Sequence, residues 1–438
     1  MIVPDPSDLP DLVRDLHHQG TPWLPAGLAS RLDWGAPLRQ PCNVVSAAKL
    51  RGIQEHNPGD FTITVAAGTP LVELQEALAL HGQWLAVDPP PIPPAPDIAA
   101  GAESESRSQG SIGGLVARGL AGGYRQRYLG VRDQLIGIRI LRSDGVAANA
   151  GGKVVKNVAG YDLMRLFAGS WGSLGLITAV TLRTMPLPQH RAGLLLRGPL
   201  ETLVKQVGVL LRSGLSPERI DLWSATLAAA SGLGEEPVLL LGLASVNAAC
   251  LEEQLDGLAS APDIRRQRCQ SDELEALLAA AQLPAQPAAN SPQDGPSAGA
   301  LATGVGGSDP AAWLLRLGVT PTRIGELLKL EELTDLPVDL AAGSGLGMAW
   351  ATATALSPAR VEALRRHCHA LGGHLAVLRQ PPAMDPGSAS PIPAWEDAPS
   401  RALIELVKAR FDPKLQLAPG RLPGVARPAM AAAGVLGT

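Results

Sequence analysis

Apolar residues recur along the chain in two alternating periods, and these define most of its elements. In SDLPDLVRDLHHQG, Leu9, Leu12, Val13 and Leu16 fall at helical spacing after a potential cap at Ser7, and Gly20 ends the run. FTITVAAG (61–68) alternates as a strand. TPLVELQEALALHGQ predicts a helix with Thr69 as N-cap and Pro70 at the first helical position; Leu71, Leu74 and Leu78 share one face and Gly82 stops it. QGSIGGLVARGLAGG (109–123) is a glycine turn entering a short helix. QLIGIRILRSDGVAANAGG reads as a hairpin, with Ile136, Ile138 and Ile140 alternating, Ser143-Asp144-Gly145 turning and Val146 resuming. GLITAVTLRTMP (175–186) is a further strand, closed by Pro186 and Pro188.

Beyond about residue 190 the glycines thin out. AGLLLRG and PVLLLGLAS read as strands, and ETLVKQVGVLLRSG as a helix with Leu203, Val207, Leu210 and Leu211 on one side. VNAACLEEQLDGLAS reads as another helix. The same alternation returns in AWLLRLGV, PTRIGELLKLEEL, GMAWATATAL, SPARVEALRRHCHALGG and HLAVLRQ, which suggests an open antiparallel sheet covered by helices. The expected class is α+β. Proline-rich VDPPPIPPAPD (87–97) and residues 381–399 read as connectors, and 283–310, rich in Pro, Ala, Ser and Gly, as a disordered surface insertion. The expected division is 1–188, 189–395 as a cap, and 396–438 as a closing helix and tail that return to the first domain.

With 438 residues, 46% hydrophobic against 18% charged, the chain has material for two or three cored domains. Aromatics are only 3%, so aliphatic side chains must do most of the packing. The net charge of -4 and the absence of a basic stripe argue against nucleic acid as a partner. Cys42, Cys250, Cys269 and Cys368 are far apart in sequence, which excludes a local CxxC metal or iron–sulfur motif. The acidic, proline-containing N-terminus lacks signal-peptide features, and no run of about 18 apolar residues occurs. The expected location is cytoplasmic, with membrane association only through partners.

Glycine clusters near Gly27, at 110–114, at 119–123 and at 151–175 stand at strand–helix junctions. Glycine permits close backbone approach to a ligand, and successive N–H groups can converge on an anion. Several such loops could line a dinucleotide. None has the strand–GxGxxG–helix form, so a Rossmann domain is disfavoured.

Residues 110–186 resemble the FAD-binding domain of the vanillyl-alcohol oxidase / p-cresol methylhydroxylase (PCMH-type) superfamily. Within them, KVVKNVAGYDLMRLFAGSWGSLGLIT looks like the glycolate oxidase branch, in its short form without a metal motif. The resemblance is dense over roughly 20–190, thin over 190–395, and returns in FDPKLQLAPGR. It implies a two-subdomain domain holding FAD non-covalently in an extended pose, with an α+β cap over the flavin ring. LPAGLAS, with Pro25, Gly27 and Ser30, would form the first pyrophosphate loop, and Ser111, Gly113 and Gly114 the second, followed by Gly122. Gly160, Tyr161 and Asp162 would form a glycine-tyrosine-aspartate turn, and Gly175 and Ile177 would lie along the cofactor.

Three departures stand out. AGLAS occurs where many relatives carry more glycine. Ala418 occurs where the family usually has asparagine. The His-rich motif of the catalytic branch is absent: the later histidines are His190, His367, His369 and His374, and on a helix His367 and His369 point about 200° apart. His56 and His81 sit in the wrong contexts for flavin attachment. The implied function is an FAD-binding subunit of a glycolate oxidase/dehydrogenase complex that oxidises glycolate, a small 2-hydroxy acid, to glyoxylate. Its partners would be a larger metal-bearing flavin subunit, carrying the substrate site, and an iron–sulfur subunit that takes the electrons. Two alternatives stay open: a self-sufficient 2-hydroxy acid dehydrogenase, for which a cap arginine that binds carboxylate and a base would be needed, and a non-catalytic scaffold. Other residues also keep two readings. Lys153 and Lys156 are solvated charges or phosphate and partner contacts. Arg125, Arg127 and Arg132 are ligand contacts or structural ion pairs. GSGLGMAW (343–350) is a loop near the flavin or a strand-entry turn, and Trp313 and Trp350 read as core.

Overall fold

The computed structural model describes residues 1–90, 110–153, 161–258, 260–281, 312–381 and 392–426. The insertion expected at 283–310 and Gly160 lie outside these residues, as do Lys156 and most of the first proline connector.

Helix α1 (Leu9–Gln19) precedes a parallel pair, β1 (Trp23–Ala26) and β2 (Asn43–Ser46). A five-stranded antiparallel sheet follows, made of β3 (Ile53–Asn57), β4 (Thr62–Ala66), β6 (Leu135–Leu141), β7 (Ala147–Gly151) and β8 (Leu176–Arg183), in the order β3-β4-β8-β6-β7. Two short strands, β5 (Gln83–Trp84) and β9 (Met185–Pro186), pair beside it. Helices α2 (Leu71–Ala79) and α3 (Ile112–Arg118) cover the sheet. The periodicity is realised in the core: Leu71, Leu74 and Leu78 pack with Ile112, Leu115 and Val116 against Ile138, Val180 and Leu182. Removing apolar area from water at about 25 cal/mol per Å² makes this stripe the main reason α2 docks where it does.

The start of α2 differs from expectation. Pro70 occupies the N-cap, and the Thr69 hydroxyl instead accepts from the Gly52 N–H at 2.8 Å. Thr69 is also held through its carbonyl by the Ile112 N–H at 2.9 Å, so it joins three chain segments and leaves the cap to its neighbour.

The second sheet has eight antiparallel strands: β10 (His190–Arg197), β11 (Arg219–Trp223), β12 (Val238–Ser245), β13 (Arg265–Gln270), β14 (Ala312–Gly318), β15 (Val338–Ala341), β16 (Leu346–Thr352) and β17 (His374–Arg379). Their order is β13-β10-β12-β11-β15-β16-β14-β17. Helices α4 (Leu200–Arg212), α5 (Ala248–Gly257), α6 (Ser271–Ala281) and α7 (Pro358–Ala370) accompany it. In α4, Leu203, Val207 and Leu210 enter the core, whereas Leu211 falls off the stripe and is exposed. Together the two sheets and their helices make the α+β architecture the sequence predicts.

The eight-stranded sheet has two unlike faces. Ile220 and Leu222 of β11 join the apolar core with α4, α5 and α7. Arg219 and Asp221 alternate onto the other face, which meets the first unit. There Asp88 accepts from the N–H groups of Gly122 (3.0 Å) and Tyr124 (2.9 Å) and from Arg219 Nη2 (3.3 Å), while Arg219 Nε pairs with Asp221 at 2.6 Å. Tyr128 donates its hydroxyl proton to Glu218 at 2.5 Å, and Arg379 pairs with Asp33 at 3.0 Å. A small apolar patch of Trp34, Leu120, Leu314 and Leu378 completes the seam. Helix α8 (Arg401–Phe411) lies against the first unit: Phe411 packs edge-on to Phe167 at 5.5 Å, and buried Lys408 donates to Asp412, Ser173 O and Leu417 O.

Candidate dinucleotide cleft

Three loops of the first unit surround one cleft that is open to solvent. The first loop leaves β1 at Ala26 and is tied down where Ser46 Oγ donates to Gly27 O at 2.7 Å. Ala29 lies in the left-handed region at φ 57°, so this alanine holds a backbone form that glycine adopts more easily. The N–H groups of Gly27, Leu28, Ala29 and Ser30 have no acceptor among the described residues. Free convergent amides of this kind suit an anion.

The second loop enters α3. Ser111 Oγ caps that helix by accepting from Gly114 N at 3.3 Å, and Gly113 N donates to Ala67 O at 2.7 Å. The two loops approach so closely that a Cβ on Gly27 would lie 1.9 Å from Ser111 Oγ, and one on Gly113 would lie 2.7 Å from the Ala67 Cβ. Glycine is needed at both places for contact distance rather than for turn shape. The third loop brings Trp171, Gly172, Gly175 and Ile177 to the same cleft.

Charge completes the picture. Arg31, Arg118 and Arg421 line the cleft, and no carboxylate is among its described lining residues. Burial lowers the Arg31 guanidinium well below the usual arginine range; neighbouring Arg118 adds to that, while Asp33 opposes it. Arg31 Nη2 donates to Pro90 O at 2.6 Å. Burial brings Arg118 down to about 10, and its side chain has no hydrogen-bond or ion-pair partner among the described residues. Arg421 is likewise lowered by burial to about 10 and donates to Ala36 O (2.9 Å) and Leu32 O (2.6 Å). A guanidinium with no counter-ion among the described residues, lining the same cleft as amides with no described acceptor, fits a pyrophosphate, because charge-assisted bonds to phosphate satisfy both at once.

Of the residues singled out from sequence, Pro25, Gly27, Ser30, Ser111, Gly113, Gly114, Gly175 and Ile177 line this cleft. Gly122 stands at the seam, bonded to Asp88. Tyr161 is 85% exposed, and Asp162 pairs with Arg165 at 3.2 Å on the surface. Lys153 pairs with Glu55. Arg127 donates to Ser216 O at 2.8 Å, and Arg132 is 3.9 Å from Asp133. Residues 343–345 form the turn into β16; Trp313 is buried, while Trp350 packs against the seam patch. His367 faces Glu332 and His369 faces Glu396, and the described residues contain no cluster of three or more metal-ligating side chains. Ala418 sits at φ 42°, a left-handed position that asparagine tolerates better. Sequence reasoning missed Arg31, Arg118 and Arg421. Each adjoins a quoted glycine motif, in GLASR, GLVAR and LAPGR, and that adjacency is the signal that would have found them.

The fold and cleft define the class: the chain carries an FAD-binding domain of the PCMH type, with FAD as its cofactor, joined to a second α+β unit built on the eight-stranded sheet. An FAD binding domain family model matches residues 1–98. The chain is 41% identical over 177 residues to glycolate oxidase subunit GlcE of Escherichia coli (strain K12), covering 40% of this chain and 45% of that protein. It is 28% identical over 214 residues to a probable mitochondrial D-lactate dehydrogenase of Danio rerio, covering 48% and 40%. It is 30% identical over 175 residues to glycolate oxidase subunit GlcD of Bacillus subtilis (strain 168), covering 40% and 34%. It thus spans less than half the length of these curated relatives. Among solved structures, an alkyldihydroxyacetonephosphate synthase superposes with TM-score 0.60 at 14% identity, covering 95% of this chain and 75% of that one, a likeness of fold.

Proposed function

We propose that the chain is an FAD-dependent oxidoreductase subunit that takes part in oxidation of a small 2-hydroxy acid, glycolate to glyoxylate, within a glycolate oxidase-type complex. The observation that carries this reading is the cleft itself. It combines two glycine loops at contact distance with four amides and a guanidinium that have no partner among the described residues, in a chain similar to a glycolate oxidase subunit. Bound FAD supplies a two-electron acceptor. The chain's own residues hold the dinucleotide by Gly27, Ser30, Ser111, Gly113 and Gly114, with Arg118 neutralising phosphate charge, and they do so without a covalent link.

Electron exit through a separate iron–sulfur subunit is supported by the cysteines, which are scattered between Cys42, Cys250, Cys269 and Cys368 and free of disulfides. A larger metal-bearing flavin subunit is the second partner. A cytoplasmic location agrees with the finding that no helix among the described residues is long and apolar enough to cross a membrane. Reaction by this chain alone is the second reading.

The test is the visible spectrum of the purified chain, recorded without oxygen before and after glycolate is added. Bound flavin at one per chain is the expected result. Bleaching by glycolate would move the assignment to the self-sufficient reading, and a colourless chain that takes up no added FAD would overturn both.

A further inference from the structure

The third loop of the dinucleotide cleft turns at Trp171, and its backbone is strained there. Trp171 lies in the left-handed region at φ 53°, between Gly169 at φ 82° and Gly172 at φ 74°, which adopt that region without a Cβ to clash. A bulky side chain persists in this conformation only where its surroundings hold it, and such strain collects at ligand sites. Here the turn is pinned to the end of α3: the Trp171 N–H donates to Ala117 O at 2.8 Å, and the Gly169 N–H to Val116 O at 3.0 Å. Glycine at 171 would make the same turn without strain, so the turn alone does not call for an indole.

That indole is braced from behind and half-buried, and it lines the cleft. A Cβ on Gly35 would lie 2.9 Å from its six-membered ring, so the Gly35 backbone sits directly against it. Trp395, in the segment that leads into α8, packs on it with ring centroids 5.7 Å apart and planes tilted by 49°. Trp395 is itself anchored twice: its Nε1 donates to Leu422 O at 2.8 Å, and the neighbouring Ala394 O accepts from Val377 N of β17 at 2.7 Å. Trp171 is the sole aromatic residue among the described lining residues of the cleft. A dinucleotide brings two planar heteroaromatic rings besides its phosphates. The amides and Arg118 answer the phosphates, and an indole is the surface on which such a ring stacks, whatever its substituents.

We propose that Trp171 is the platform on which one heteroaromatic ring of the dinucleotide stacks, with Trp395 as the positioning residue that holds its indole at the cleft. The inference rests on the FAD reading above and adds a ring contact to the phosphate contacts. It also gives the strained turn a purpose: the backbone cost at 171 places an aromatic surface where glycine would leave none. Because Trp395 is anchored on β17, the second sheet takes part in presenting that surface.

Titration of FAD into the flavin-stripped full chain, followed by fluorescence, tests this. Trp171→Leu should weaken FAD binding at least about tenfold, and Trp171→Phe should recover most of that loss. Both replacements keep a Cβ in the left-handed turn, so their comparison isolates the aromatic face; Trp171→Met serves if Trp171→Leu does not fold. Trp395→Leu should weaken FAD binding on its own but add little to Trp171→Leu, since it acts through that indole. Competition by ADP identifies the ring: an ADP affinity that falls with that of FAD puts the adenine on Trp171, and an unchanged one puts the isoalloxazine there. FAD affinity within about threefold of wild type in Trp171→Leu, well below the usual worth of a stacked ring, overturns the proposal, as does a Trp171→Phe chain no better than Trp171→Leu. Additive effects of the two tryptophans overturn the positioning role of Trp395. A wild-type chain that takes up no FAD refutes the cofactor reading itself, whereas one that binds FAD with an affinity indifferent to Trp171 refutes only this inference.

Discussion

The contact between the two glycine loops can be broken with a single methyl group. In Gly27→Ala the new Cβ would lie 1.9 Å from Ser111 Oγ and 3.0 Å from Ser111 Cβ. The gap to the hydroxyl must widen by about 1.5 Å to reach ordinary contact. Ser111 can swing its hydroxyl away only by giving up the bond from Gly114 N, a cap worth about 1 kcal/mol. Otherwise the first loop must move, and overpacking of this kind costs about 1–3 kcal/mol. The expected destabilisation is therefore about 1–3 kcal/mol, with a loss of at least about tenfold in FAD affinity where the loop moves, because that shift displaces the amides of 27–30. Gly59→Ala is the control, since nothing lies within 4 Å of its Cβ and its change should stay within about 0.5 kcal/mol. The double variant Gly27→Ala/Ser111→Ala is the decisive one. Deleting the hydroxyl relieves the clash, so the two changes should couple favourably by about 1–2 kcal/mol. Thermal denaturation of the flavin-free chain and flavin per chain after gel filtration read both effects. Simple additivity of the two substitutions, or wild-type flavin retention in Gly27→Ala, would refute the contact argument.

Other positions carry their own expectations. Arg118→Met should lower flavin occupancy while leaving the flavin-free chain as stable or more stable, since it removes a buried cation with no partner among the described residues; melting with and without FAD shows whether the signs are opposed. Lys408→Met strands Asp412, which is fully buried, and should cost about 3–5 kcal/mol, read by urea denaturation and by earlier proteolysis near α8. For Asp339 the folded carboxyl titrates above its unfolded value, so the native state binds more protons between the two; its contribution to stability is present below the unfolded value and lost as pH rises toward the folded one. Asp339→Asn should therefore raise the urea midpoint at pH 7 and do so less at pH 4.5, and equal destabilisation at both would refute that sign.

Elements built on one apolar stripe were legible from sequence: α1, α2, β4 and the β6–β7 hairpin. Strands without that signature were not. RIDLW of β11 is buried on both faces, and its charges point into the seam, so its pattern is that of neither a half-exposed nor a wholly apolar strand. RRQRCQ of β13 is an edge strand that buries only Cys269, and IQEHN of β3 is another polar edge. The glycine loops were legible because their glycines cluster, whereas isolated ones such as Gly59 and Gly214 meet nothing within 4 Å. The arginines were not, because in sequence an arginine reads as a surface cation until its partners can be counted. Arg118 and Arg316 differ from Arg323, which pairs with Glu326, only in what the fold leaves beside them.

The seam itself follows from that economy of apolar contact. A second unit docked by hydrophobic area alone would gain stability, but it would seal the space between the sheets. Here the apolar patch is small, and the rest of the contact is directional: Asp33 to Arg379, Asp88 to Arg219, and Tyr128 to Glu218. A buried pair such as Asp88–Arg219 contributes little net stability because both charges lose water, yet it tolerates little change in distance or angle. Arg219 shows the consequence. It is held by Asp221 from its own strand and by Asp88 from the first unit, so the position of β11 is set relative to the loop that carries Gly122 and Gly123. Through β15, whose Ala341 is opposite Asp221, the same constraint reaches Asp339. Polar docking thus fixes how the two sheets meet without sealing the seam by apolar contact.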